Sequence, residues 1–175
     1  MPETDHVDLT DSPSENHVKA LFEQRELIEN VSVECAKQVR QRDKLCLITG
    51  EKVTEANKRD FTVVNVIPPD CDMLWEDLDI PRLVKDPHAD LKPENKQTIQ
   101  NAMLLHSDVV DAWTRGEITI DSNRGHAIIA FRKEWQHLHG QKLHLEHLTG
   151  LSQLAPLDAC FEEHKTVSIV TNVIA

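Results

Sequence analysis

A chain of 175 residues suits one ordinary domain, and folding at that size hides roughly 70% of the extended chain's surface, enough for a single core without staples. The hydrophobic share is 39%, and no run approaches the ~18 apolar residues of a spanning helix, so a membrane partner is excluded. Against 19 basic residues stand 30 acidic ones, a net charge of −11 that repels a phosphate backbone at long range and disfavours non-specific nucleic-acid binding.

Residues 1–16 are polar and carry Glu3, Asp5, Asp8, Asp11 and Glu15 before the first lysine. Such a segment buries too little apolar area to offset its ordering entropy, and a flexible acidic tail is expected. It has neither a basic n-region nor an apolar h-region, so an intracellular protein, cytoplasmic or nuclear, is expected. The four cysteines, Cys35, Cys46, Cys71 and Cys160, form no Cys-x-x-Cys pair and read as reduced thiols.

From residue 17 to 42, Val18, Leu21, Phe22, Ile28, Val31, Cys35 and Val39 recur at three- and four-residue steps. That spacing predicts one long amphipathic helix with Lys37, Arg40 and Arg42 on its wet side. The apolar runs 45–49, closed by Gly50, and 61–67, closed by Pro68 and Pro69, predict two strands. Residues 69–95 carry Pro69, Pro81, Pro87 and Pro93 around Trp75 and predict an irregular excursion with short helical turns.

Ser107 or Asp108 is a natural N-cap for a helix through Arg115 that stops at Gly116. Three strands are then expected at 117–121, 127–131 and 142–145, with turns at Ser122-Asn123 and His139-Gly140, and a last helix at 156–165. The fold class is α+β. Five glycines without a phosphate-cradling loop, and no Gly-x-Ser-x-Gly elbow, leave nucleotide-binding and serine-hydrolase classes without support. Cys46 and Cys160 sit in apolar runs and read as core thiols rather than nucleophiles.

Three separated pieces carry a resemblance: Cys46-Leu-Ile-Thr-Gly50, Val64-Asn65-Val66-Ile67-Pro68, and the stretch from Asn101 through Asp108, Val110 and Trp113 to Gly116 and Ile120. Together they resemble the fungal branch of the HNH endonuclease-like family, also called His-Me finger or ββα-metal. In that branch a Cys-x-x-Thr-Gly turn precedes a strand Ala-His-Ile-Ile-Pro and a helix segment Asn-Gly-Ile-Leu-Leu-x-x-Asp-x-His. The segments around Leu138 to Leu145 and Pro156 to His164 resemble its closing hairpin and helix, so the likeness spans residues 43–168, with 169–175 as a tail.

The resemblance implies a ββα core holding one divalent metal. A strand histidine would deprotonate the attacking water, an asparagine would fix the loop, and a helix histidine would bind the metal. Carried over residue by residue, the strand histidine is Asn65 and the helix histidine is Val110, while the asparagine persists as Asn101. The family's aromatic and acid after the helix histidine appear as Trp113 and Thr114. An amide takes no proton near neutral pH and an isopropyl group offers a metal no lone pair, so the expectation is a pseudoenzyme without the family's cleavage chemistry. It would serve as a binding or regulatory module, with a small molecule or protein favoured as partner.

Two alternatives stay open. The hollow at Asn65, Asn101 and His106, walled by Trp75 and Trp113, would be repurposed for a small molecule as a binding protein or enzyme. Otherwise His106 and Asp108 would hold a divalent metal as substitute ligands of an active nuclease; no cofactor is expected in the main reading. His137 and His139, at i and i+2 on a predicted strand, lie near His144 and His147 and raise a further metal reading, against which a solvated hairpin is favoured.

Overall fold

The computed structural model describes residues 31–68, 71–93 and 95–174, and these form a mixed α+β fold of five α-helices and two small antiparallel sheets. The acidic tail expected at 1–16 and most of the helix expected at 17–42 lie outside the described residues.

Helix α1 spans Val33–Asp43. Ser32 is extended (φ −60°, ψ 151°) and its hydroxyl accepts from Cys35 N at 3.2 Å, so this helix has its own start rather than continuing unbroken through residue 32. It ends where Lys44 turns left-handed at φ 55°. Cys35 and Val39 face the core as expected, but Arg42 does not sit on a wet side: it is 5% exposed, beside a fully buried Asp43. Arg42 Nε and Nη2 reach the two Asp43 oxygens at 2.6 and 3.1 Å. Its remaining N–H groups donate to Ile99 O, Leu154 O and Ala102 O at 2.6, 2.9 and 2.7 Å. Asp43 in turn accepts from Leu104 N at 2.8 Å. One guanidinium thus ties three carbonyls, from two distant stretches of main chain, to the end of α1.

The first sheet pairs β1 (Phe61–Asn65) with β2 (Ala102–His106), Phe61 opposite His106 and Asn65 opposite Ala102. The β-branched run ends at Asn65, short of the expected proline boundary. From Ala102 to Leu105 every residue of β2 is fully buried, so this strand is covered on both faces, with α1 packed against the sheet. Between the strands lies the long excursion, which holds α2 (Asp72–Asp77) and α3 (Ile80–Leu83).

Residues 45–50 correct an expectation: the apolar run forms only a bridge between Leu45 and Lys52, with a turn after it. Gly50 N donates back to Cys46 O at 2.8 Å and Thr49 N to the Cys46 sulfur at 3.3 Å, folding the run before it can extend. Gly50 sits at φ 74°, and a Cβ there would lie 2.8 Å from the His144 ring. Gly50→Ala should therefore lower stability by about 1–3 kcal/mol, measurable as a reduced urea midpoint. A variant as stable as the parent would show that this turn can be rebuilt.

β2 runs straight into α4 (Ser107–Thr114), which packs on β1 and β2 and ends before Gly116 at φ 67°. Its N-cap is neither Ser107 nor Asp108 but His106, whose Nδ1 accepts from Asp108 N at 3.3 Å. The second sheet pairs β3 (Ile118–Asp121) with β4 (Ala127–Ala130). The third expected strand is reduced to a bridge from Ala127 to Lys142, because His126 and Ile128 take only brief ladder bonds from residues 140–143 before the chain turns away.

Helix α5 (Asp158–Ile169) packs on β3 and continues as a π-helical turn over Val170–Ile174, so residues 169–174 of the expected tail are helical, and residue 175 lies outside the described residues. Asn172 anchors it by donating to Gly116 O at 2.9 Å. Lys165 bridges Asp121 at 2.9 Å and Glu162, and Glu162 Oε1 accepts from Ser122 N and Oγ at 2.9 and 2.5 Å. Burial raises the Glu162 carboxyl, but the bonds from Lys165 and Ser122 outweigh it and hold the carboxyl below its ordinary range. A depressed carboxylate contributes stability above its unfolded value and loses it as pH falls through the folded one. Acid titration of Glu162→Gln should accordingly show a flatter loss of stability below neutral pH than the parent; identical acid limbs would remove this cluster from the account.

Candidate functional site

The residues singled out from the sequence lie on β1, β2 and the start of α4. Asn65 ends β1, half-buried, and its side chain makes no hydrogen bond among the described residues. Asn101 immediately precedes β2 and is fully buried. Its Oδ1 accepts from Ile67 N at 2.9 Å and its Nδ2 donates to Ile67 O at 2.6 Å. The main chain adds Val66 N to Asn101 O at 2.8 Å. Both ends of the Asn101 amide are therefore committed to fastening the entry of the excursion to its exit. A side chain amide that carries one donor and one acceptor face suits a main-chain unit in this way without a titratable group.

His106 lies at the other end of the ribbon. Phe61, at the far end of β1, faces it, and the two rings meet edge to face at a centroid distance of 5.1 Å. Four strand rises of about 3.3 Å separate that end from Asn65 and Asn101, or about 13 Å. The structure brings Asn65 and Asn101 together and keeps His106 apart from them.

Around His106 the carboxylates are arranged on opposite sides of the ring. Asp108 Oδ2 is 3.4 Å from Nδ1, and Glu51 Oε2 is 3.7 Å from Nε2. A cation uses one ring nitrogen, so the two acids do not converge with the imidazole on a single ion. Nδ1 is also occupied as the helix cap. Among the described residues no group of three or more His, Cys, Asp or Glu side chains is arranged to hold a metal. Val110 is 6% exposed on the core side of α4 and Asp111 points to solvent. The donor set along this ribbon does not fit a divalent ion.

Neither tryptophan forms a presented wall. Trp113 is 2% exposed and stacks on the His164 imidazole at 3.6 Å with an interplanar angle of 4°. That ring is itself buried, with Nδ1 2.8 Å from Thr119 Oγ1 and Nε2 3.2 Å from Trp113 O. Facing a carbonyl, Nε2 carries the proton, which leaves Nδ1 to accept from the hydroxyl. Trp75 is 3% exposed on α2, and its indole N–H has no hydrogen-bond partner among the described residues.

The histidines of residues 137–147 disperse rather than share a strand face. His137 Nδ1 lies 3.1 Å from Glu134 O, the His139 Nδ1 accepts from Ala130 N at 3.1 Å, and the His144 ring lies over Gly50. Residues 137–140 form a turn, which voids the i, i+2 alternation of a strand. All four cysteines are buried and none is in a disulfide. Burial, with Asp86 nearby, pushes the Cys35 thiol up to about 11, and burial pushes Cys160 up to about 12, so neither is a nucleophile near neutral pH.

Two contributors were missed from sequence alone: the Arg42–Asp43 pair, which reads as an ordinary charged helix end, and His106 as an N-cap, a position more often held by Ser, Thr, Asp or Asn. Compared with known proteins, the chain matches no family model, no curated protein and no solved structure.

Proposed function

We propose that this chain is a degenerate HNH endonuclease-like protein that lacks nuclease activity and serves as a binding or regulatory module. The observation that supports this reading most directly is the order β1, β2, α4 with Asn101 clamping the connecting segment through Ile67. A fastening amide keeps its use after catalysis is lost, whereas the positions that would move a proton and hold a metal carry Asn65 and the core residue Val110. Without a base at the strand end, a factor of about 10²–10⁴ in rate is missing before the absent metal ligand is counted.

Incubation of the purified protein with plasmid DNA and Mg²⁺, Mn²⁺, Ni²⁺ or Zn²⁺ should leave the DNA uncut. Metal-dependent cleavage that disappears in His106→Ala or Asp108→Ala would overturn the proposal in favour of an active nuclease with substitute ligands. The Asp108 side chain is largely exposed, so loss of cleavage in Asp108→Ala would not simply report unfolding.

A further inference from the structure

Away from the ribbon, Leu145, Leu148, Pro156 and Leu157 wall a hollow of about 560 Å³, and Leu83 at the end of α3 lines it while still 40% exposed. Leu151, in the turn that brings Ser152 to the same lining, is 45% exposed. Leucines left in water singly need no explanation, but two of them beside one apolar hollow mark a face that packs against something. Asn65, Asn101 and His106 do not line it, so it stands apart from the nuclease reading.

The described chain begins next to this hollow. Val31 packs on the core and lines a cleft with Thr98, Ile99 and Asp86, and Ser32 N donates to Gln97 Oε1 at 3.0 Å. Gln100, the residue after Ile99, and Lys85, the residue before Asp86, line the hollow instead. The Gln100 side chain holds the two runs together by accepting from Lys85 N and from Asp86 N at 2.9 Å, so cleft and hollow lie on either side of one narrow strip. A chain arriving at Val31 is one strip away from Leu83 and Leu148.

We infer that residues 17–30 form an amphipathic helix that docks into this hollow of their own chain. Val18, Leu21, Phe22 and Ile28 recur at the three-, four- and seven-residue steps of one helical face, with Lys19 and Glu23 on the other. A helix over residues 17–30 spans about 21 Å, several times the roughly 3.8 Å from one Cα to the next that carries Ile99 on the cleft to Gln100 on the hollow. The break at Ser32 gives it the freedom to turn. A helix unbroken through residue 32 would hold residues 17–30 to the axis of α1, whereas an extended Ser32 that caps α1 lets the preceding segment take its own direction. The cleft at Val31 is the poorer seat, because Asp86, His88, Asp90, Asn95 and Gln97 line it and offer an apolar face few partners.

Nuclear Overhauser spectra of the 175-residue chain with ¹³C-labelled leucine methyls test the docking directly, the Phe22 ring signal being assigned by its loss in Phe22→Leu. Cross-peaks from that ring to the methyls of Leu83, Leu145 or Leu148 are expected within one molecule. A double-mutant cycle adds an energetic readout: Leu83→Ala changes an exposed side chain, and its effect on the unfolding constant should shrink by about fivefold when Phe22→Ala is already present. Additive effects, or a Phe22 ring without cross-peaks to these leucines, would overturn the inference. Cross-peaks found only between labelled and unlabelled copies in a mixed sample would overturn it in favour of a second copy's segment filling the hollow.

Discussion

Arg42→Ala should lower the unfolding free energy by about 3–5 kcal/mol, the largest single effect expected in this fold. The change removes five donated bonds at once and strands a fully buried Asp43 carboxylate with only Leu104 N as partner among the described residues. The carbonyls of Ile99, Leu154 and Ala102 lose the same donor. Leaving one member of a buried pair behind is far costlier than removing both, because the residual charge keeps its desolvation penalty. Arg42→Lys should recover little, since an ammonium cannot reproduce the planar fork that meets a carboxylate and carbonyls together. Urea unfolding checks both variants. Arg40→Ala is the internal control: its side chain is exposed apart from one bond to Phe61 O at 2.8 Å, and a cost of about 1 kcal/mol is expected. Equal costs at Arg40 and Arg42 would remove the hub from the account.

Asn101→Ala is the second large effect, about 2–4 kcal/mol, because it leaves the Ile67 N–H and C=O unsatisfied at a residue that is 2% exposed. Asn101→Asp separates a fastening role from a mere packing role. The carboxylate keeps the acceptor for Ile67 N but sets a second oxygen against Ile67 O, so this variant should be no better than alanine at neutral pH. Protonation restores the missing donor, so it should regain stability relative to alanine as pH falls. Melting curves at neutral and acid pH measure the difference; parallel behaviour of the two variants would show that the amide geometry is irrelevant.

The parts of this fold that were legible in sequence are those where local chemistry agrees with tertiary packing. Val109, Val110, Ala112 and Trp113 alternate with Asp108 and Asp111 on a helical period, and Gly116 supplies the left-handed stop, so α4 follows from its residues. The β-branched run before Pro68 likewise yields β1. Legibility failed where a side chain bonds to distant backbone. Nothing local distinguishes Arg42 from Arg40, yet one is buried under three carbonyls contributed by residues 99–102 and 154. Cys46 looks like a strand residue, but its sulfur accepts from Thr49 and the run folds back. His106 caps α4 while its ring packs edge to face on Phe61, a contact from a residue 45 positions away.

Of the candidate site, the adjacency of Asn65 and Asn101 follows from pairing the two strands. The separation of His106 from them does not, because it depends on register: a residue at the last position of β2 stands opposite the first position of β1. An antiparallel ribbon converts that sequence closeness into opposite ends of the molecule's central sheet.

The connection between Asn65 and Ala102 sets a cost on how this protein acquires its shape. Closing a loop of roughly 36 residues before the first ladder bond forms is entropically dearer than closing a tight hairpin by about 2 kcal/mol. Pairing of the two strands should therefore belong to the late, rate-limiting part of refolding. The same logarithm makes the segment forgiving, since doubling its length adds only about 0.6 kcal/mol. Insertions there would slow assembly modestly while sparing the finished architecture, which makes this stretch the natural place for the chain to diversify.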